Sequence, residues 1–177
     1  MTFKNRQLDT SQLPQVSEVL FHKLEKGYLS VMLLRFSIFS IAMIFSLVVL
    51  YIFQPVDEVQ GFVYVVLLVL GLIYIALRYF AVIKGFENKA YALRQKDIVY
   101  KTGWLWKSIT TTPFNRVQHV SIEQGPIERR WNLARLKLYT AGGNTSDLSI
   151  PGLNHSTAEE LKEFIASKTR IGDQEEE

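Results

Sequence analysis

Hydrophobic and polar positions divide this chain into two kinds of territory. Val31–Phe53 and Phe62–Ile83 are two long apolar runs, close together. Phe36–Phe53 is 18 residues without a charge. A helix rises about 1.5 Å per residue, so roughly 20 residues cross a hydrocarbon core. Both runs qualify, and neither keeps the polar stripe of a soluble amphipathic helix. A cleaved signal peptide does not fit: the first run begins at residue 31 and a second follows at once. The pattern predicts a two-helix transmembrane hairpin over 31–83, joined by Gln54–Gly61, where Pro55 and Gly61 disfavour helix.

After Ile83 the pattern changes to short β-branched and aromatic runs separated by turn residues. Strands are expected over Lys89–Arg94, Ile98–Lys107 with a bulge or bend at Gly103, Ser108–Pro113, Val117–Glu123, Leu136–Thr140 and Leu148–Ile150, the last stopping at Pro151-Gly152. Pro126–Arg135 reads as a short helical turn. Thr157-Ala158-Glu159-Glu160 has the form of a capping box, and Leu161, Phe164 and Ile165 give the following helix one apolar face. The fold class is therefore an α+β membrane protein: a hairpin, then an antiparallel barrel or sandwich over 84–171 capped by a C-terminal helix. Before the hairpin lies an N-terminal segment, 1–30. Leu13, Val16, Leu20 and Leu24 space Pro14–Lys26 as a short amphipathic helix, with a poorly ordered lead-in as the alternative. Residues 172–177 read as a disordered acidic tail.

Charge orients the hairpin. The connecting loop carries Asp57 and Glu58 and no Lys or Arg. The outer flanks carry Lys23, Lys26 and Arg35, then Arg78, Lys84 and Lys89. The positive-inside bias places both termini in the cytoplasm of a plasma (inner) membrane protein. Arg35 and Arg78 fall at the same inner end, where long side chains snorkel to headgroups. The net charge of +3 hides an asymmetry: residues 78–140 hold 12 Lys/Arg against 4 Asp/Glu, and residues 141–177 hold 3 against 8. Attraction to an anionic inner leaflet is the simplest account. Nucleic-acid binding would need a reading motif, and none is present.

Cysteine is absent, so disulfides and thiolate chemistry are excluded. His22, His119 and His155 are far apart in sequence and share no metal-ligand spacing. No serine or carboxylate stands in a motif that would activate His119. No catalytic, metal or cofactor residues are therefore assigned.

The segment from Pro113 to Gly143, PFNRVQHVSIEQGPIERRWNLARLKLYTAGG, carries a resemblance. It is similar to the signature of the bacterial PH-like membrane-flanked domain family (the YdbS-like group). Ile150-Pro151-Gly152-Leu153 and Ala158-Glu159-Glu160-Leu161 fit as well, and the likeness covers about 140 residues. Asn132 departs from it, since many relatives have Gly there; Asn tolerates the left-handed conformation that Gly would adopt. The resemblance implies a bent antiparallel sheet capped by the last helix, and no reaction.

Candidate contacts follow. Arg116 and Gln118 should share one side of a strand, with Val117 and His119 on the other. A buried network, with Arg116 bonding carbonyls or Glu123, competes with a ligand site. Arg129, Arg130 and Arg135 cluster beside Trp131, which suits a partner's acidic groups or phosphates, or a core plug in the case of Trp131. Lys89, Arg94 and Lys96 are the nearest match to the phosphate-binding basic hairpin of eukaryotic PH domains, and the spacing is loose. Trp104 and Trp106 share a strand face and suit core, a protein contact or a dip into the headgroup layer, with core the default for at least one. These features lead to a non-enzymatic membrane-anchored module for protein–protein assembly, by self-association or with a related membrane protein, with envelope stress or resistance as one setting. The alternative is lipid-headgroup or small-ligand binding by the basic surface.

Overall fold

The computed structural model describes residues 19–53, 57–140 and 148–175. Two long apolar helices stand side by side, α1 (Lys26–Phe53) and α2 (Glu58–Glu87). Only 6% and 0% of their most apolar stretches is buried. A soluble core helix would be covered by protein, and these are not. Each extends beyond its apolar run at the charged end. Gly71 of α2 faces Met43 of α1 at ordinary contact distance. Pro55, the expected breaker between the helices, lies outside the described residues, as do Leu13 and Val16 of the expected amphipathic segment.

The β part forms two antiparallel sheets. The first has the order β1 (His22–Lys23), β2 (Ala90–Leu93), β3 (Asp97–Thr102), β4 (Ser108–Pro113). The second has β5 (Val117–Glu123), β6 (Leu133–Thr140), β7 (Leu148–Asn154). A 3₁₀ turn, Phe114–Arg116, joins the sheets, and a short helix α3 (Pro126–Arg130) joins β5 to β6. The two sheets form a sandwich and do not close into a barrel. The last helix, α4 (His155–Glu175), lies across β5, the 3₁₀ turn, β6 and β7, and buries Ala158, Leu161 and Ile165.

Several elements differ from their sequence pattern for identifiable reasons. Residues 22–23 are a strand edge on β2 and not part of an amphipathic helix; Leu20 is exposed while Leu24 is buried. The expected strand over Ile98–Lys107 ends at Thr102, because Gly103 takes φ +96° and starts a turn. Trp104 and Trp106 therefore both stand exposed at a hairpin tip, against the core default. β7 runs through Pro151-Gly152 where a stop was expected. Arg135 faces that pair across a bulge, and a bulge on an edge strand tolerates proline. Helix α4 begins before the expected Thr157–Glu160 box: Asn154 Oδ1 accepts from Ser156 N at 3.1 Å and caps it. The helix also runs to Glu175, into the stretch expected as a disordered tail.

The hydrophobic core contains more than the sheets and α4. Leu24, Tyr28 and Val31 join it from the start of α1. Tyr28 packs on β7 at Gly152, where a side-chain carbon would lie 2.4 Å from the tyrosine ring. Glu25 N also donates to Gly152 O at 3.0 Å. Gly152 has φ +69°, so glycine is required there twice, for conformation and for space. Gly152→Ala is expected to cost about 3 kcal/mol, from left-handed strain plus overpacking, read as a lowered unfolding midpoint in detergent.

Tyr100 sits in the same core, and burial raises its phenol to about 12 from an ordinary 10.0. The unfolded chain then releases this proton first, so stability should fall as pH rises from about 10 toward 12. Tyr100→Phe should flatten that alkaline slope in pH-dependent denaturation.

Candidate functional site: the junction and the β5–α4 groove

Two places bring candidate residues together. The first is the junction of α1 with the β domain. Pro126 opens α3, where its missing N–H costs nothing. Glu128, three residues after Gly125, turns back so that its Oε2 accepts from Gly125 N at 2.8 Å. That fixes the carboxylate inside the fold at 5% exposure. Its other oxygen meets two guanidiniums, Arg35 Nη2 at 3.2 Å and Arg135 Nη2 at 3.4 Å. Arg35 therefore spans from the apolar helix to the β domain instead of snorkelling freely. Arg78, at the same level on α2, lies over the Phe36 ring at 5.9 Å.

Lys89 adds a third cation. Its Nζ lies 5.4 Å from the Tyr28 ring centre. Burial pushes its ammonium below the usual lysine range, and the Arg135 charge pushes the same way. Arg135 Nε is buried without a hydrogen-bond partner among the described residues. Arg35 and Arg135 thus meet one carboxylate, with the Lys89 cation close enough to Arg135 to feel its charge.

The basic cluster around Trp131 divides. Arg135 points to the junction, while Arg129 and Arg130 are exposed on α3. Trp131 is 41% exposed and no core plug; its ring packs beside Gly27 on α1. Asn132 has φ +51°, the left-handed conformation expected at that position. Lys89, Arg94 and Lys96 do not converge. Arg94 is held by Asp97 through paired guanidinium–carboxylate bonds. It and Lys96 occupy the β2–β3 turn, at the opposite end of β2 from Lys89, about 17 Å along an extended chain.

The second place is a groove between β5 and α4. Val117 pairs with Thr140 and His119 with Tyr139, so Gln118 is the extra residue of a bulge. The bulge breaks the expected alternation: Gln118 and His119 are both exposed, while Val117 and Val120 go inward. Arg116 lies before the strand on the 3₁₀ turn and is exposed. Glu123, its expected partner, pairs with Lys137 at 2.7 Å. Val117, Gln118, His119, Val120, Lys162, Ala166 and Thr169 line a groove of about 400 Å³. Lys162, Ala166 and Thr169 were not anticipated, although their spacing of four and three marks one helix face. Among the described residues β5 pairs with β6 alone, and its other edge borders this groove.

Residues 36–169 match a family described as "Bacterial PH domain". The chain belongs to that family. The match begins inside α1, so it takes in most of both apolar helices as well as the PH domain. Over 83 residues the chain is 32% identical to the UPF0699 transmembrane protein YdbS of Bacillus subtilis (strain 168), which covers 47% of this chain and 50% of that relative. The chain spans about half the length of the curated relative it matches. No solved structure matches. With two lipid-length apolar helices and a transmembrane relative, this PH domain protein is a membrane protein.

Glu128→Gln should cost about 2 kcal/mol, below the full value for a buried pair because the arginines are partly exposed. Arg35→Gln should cost about half of that, since Arg135 remains. A double-mutant cycle of the two in denaturant unfolding should show coupling of about 0.5 kcal/mol or more.

Proposed function

We propose that this protein is a non-enzymatic membrane-anchored assembly module. Its α1–α2 hairpin crosses the inner membrane twice with both termini cytoplasmic. Its PH domain holds an extended segment of a partner in the β5–α4 groove. The partner is a second copy or a related membrane protein, and envelope stress is one setting for it. The observation that carries this is the groove itself. It places an open strand edge beside an apolar floor of Val117, Val120 and Ala166, with Gln118, His119, Lys162 and Thr169 as polar contacts. An extended peptide added to a strand edge gains main-chain hydrogen bonds there and side-chain selection from the groove.

The junction supports a second reading, capture of an anionic lipid headgroup. Arg35 and Arg135 converge on Glu128, Lys89 adds a further cation near Arg135, and Arg135 Nε has no hydrogen-bond partner among the described residues. An anion there would offset the cost of burying the Lys89 cation.

A photo-reactive residue at Gln118 in native membranes should give a discrete protein adduct. The same residue at exposed Ser156 should not, and Ala166→Arg should abolish the Gln118 adduct by filling the groove. Equal adducts at both positions, or none at Gln118, would contradict the assembly reading. For the second reading, native mass spectrometry should show retained phosphatidylglycerol in the unaltered protein and its loss in Arg135→Gln.

A further inference from the structure

The β3–β4 hairpin ends in three consecutive apolar side chains turned away from the core. Trp104, Leu105 and Trp106 are 41%, 70% and 82% exposed, and Ile109 on β4 extends the patch at 48%. The turn is built tightly. At Gly103 a side-chain carbon would lie 1.7 Å from the Trp106 carbonyl oxygen. A contiguous exposed patch of this kind marks a surface that something covers.

Its position identifies what covers it. The Trp104 ring meets Phe80 of α2 edge-on, with centroids 5.4 Å apart. Phe80 follows Tyr79, whose ring meets Phe36 of α1 at 5.0 Å and whose hydroxyl bonds Ser37. Phe36 is the first residue of the uncharged run that ends at Phe53. That run rises about 27 Å, close to the thickness of a hydrocarbon core. The Phe36–Tyr79–Phe80 level is therefore its inner edge, where Arg35 and Arg78 also stand. The strand directions agree: β3 runs back toward the helices, so its end meets α2 while the β2–β3 turn points away. The tip is continuous with the lipid-facing surface of α2. Indole rings favour this interfacial layer, and exposed Lys107 follows directly to meet phosphates.

We propose that the Gly103–Lys107 tip inserts into the inner leaflet as a third membrane contact, with Trp104 and Trp106 as its interfacial anchors and Leu105 among the acyl chains. This rests on α1 and α2 crossing the bilayer. The PH domain is then held at three points, α1, α2 and the tip.

The full chain in liposomes tests this with single tryptophans. W104F/W131F leaves Trp106 as the reporter. F45W in a chain also carrying W104F, W106F and W131F reports on the middle of α1. Phospholipid brominated near the headgroup end of the acyl chain should remove about half of the Trp106 emission, as for an indole at the interface. Iodide should leave that emission nearly unchanged. Deep-brominated lipid should quench the F45W reporter. If F45W is quenched and Trp106 is not, the tip proposal is overturned while the hairpin stands, and iodide then tells water from a protein cover. If neither is quenched, the hairpin reading falls and takes the tip proposal with it.

Discussion

Tyr28 of the first apolar helix packs against Gly152 so closely that no side chain could stand there, and Glu128 draws Arg35 and Arg135 together at one carboxylate oxygen. These contacts make α1 a shared element. Its outer turns face lipid, and its first turns complete the core of the PH domain through Leu24, Tyr28 and Val31. A flexible tether would let the domain sample all orientations. A helix that runs without a break from core into bilayer does not, because bending it would expose buried apolar surface and separate a largely buried carboxylate from its cations.

That constraint organises the other surfaces. Lys89 and Arg135 are brought to the membrane side with Arg35, while Arg94 and Lys96 are carried to the far end of β2. The hairpin tip at Trp104 is set against Phe80. The β5–α4 groove belongs to the other sheet, where, among the described residues, β5 pairs with β6 alone. One docked helix thus sets the Arg35–Arg135 side apart from the β5–α4 groove, the two surfaces on which the proposed readings stand.

Much of this was legible in the chain. The two apolar runs and the final amphipathic helix have strong periodic signals, and the strands are bounded by recognisable turns. Asn132 announced a left-handed position and occupies one. What the pattern concealed came from tertiary pairing. Arg35 reads as an anchor because Glu128, its partner, is 93 residues away. Gln118 and His119 read as opposite faces because a bulge leaves no mark in the alternation of VQHVSIE. Pro151-Gly152 reads as a stop because nothing local shows the bulge opposite Arg135 that admits it. At least one of Trp104 and Trp106 reads as core because a turn at Gly103 depends on one backbone angle and not on hydrophobicity.

Hairpin and PH domain form one rigid body through the shared helix α1. The chain has no cysteine, so two introduced ones take spin labels without competition. Phe53, at the far end of α1, and Ser167, on the exposed side of α4, are both open to solvent or lipid. Dipolar distance measurement between F53C and S167C in nanodiscs is predicted to give a single narrow distribution. A broad distribution, as expected for a domain swinging on a linker, would rule out a rigid junction.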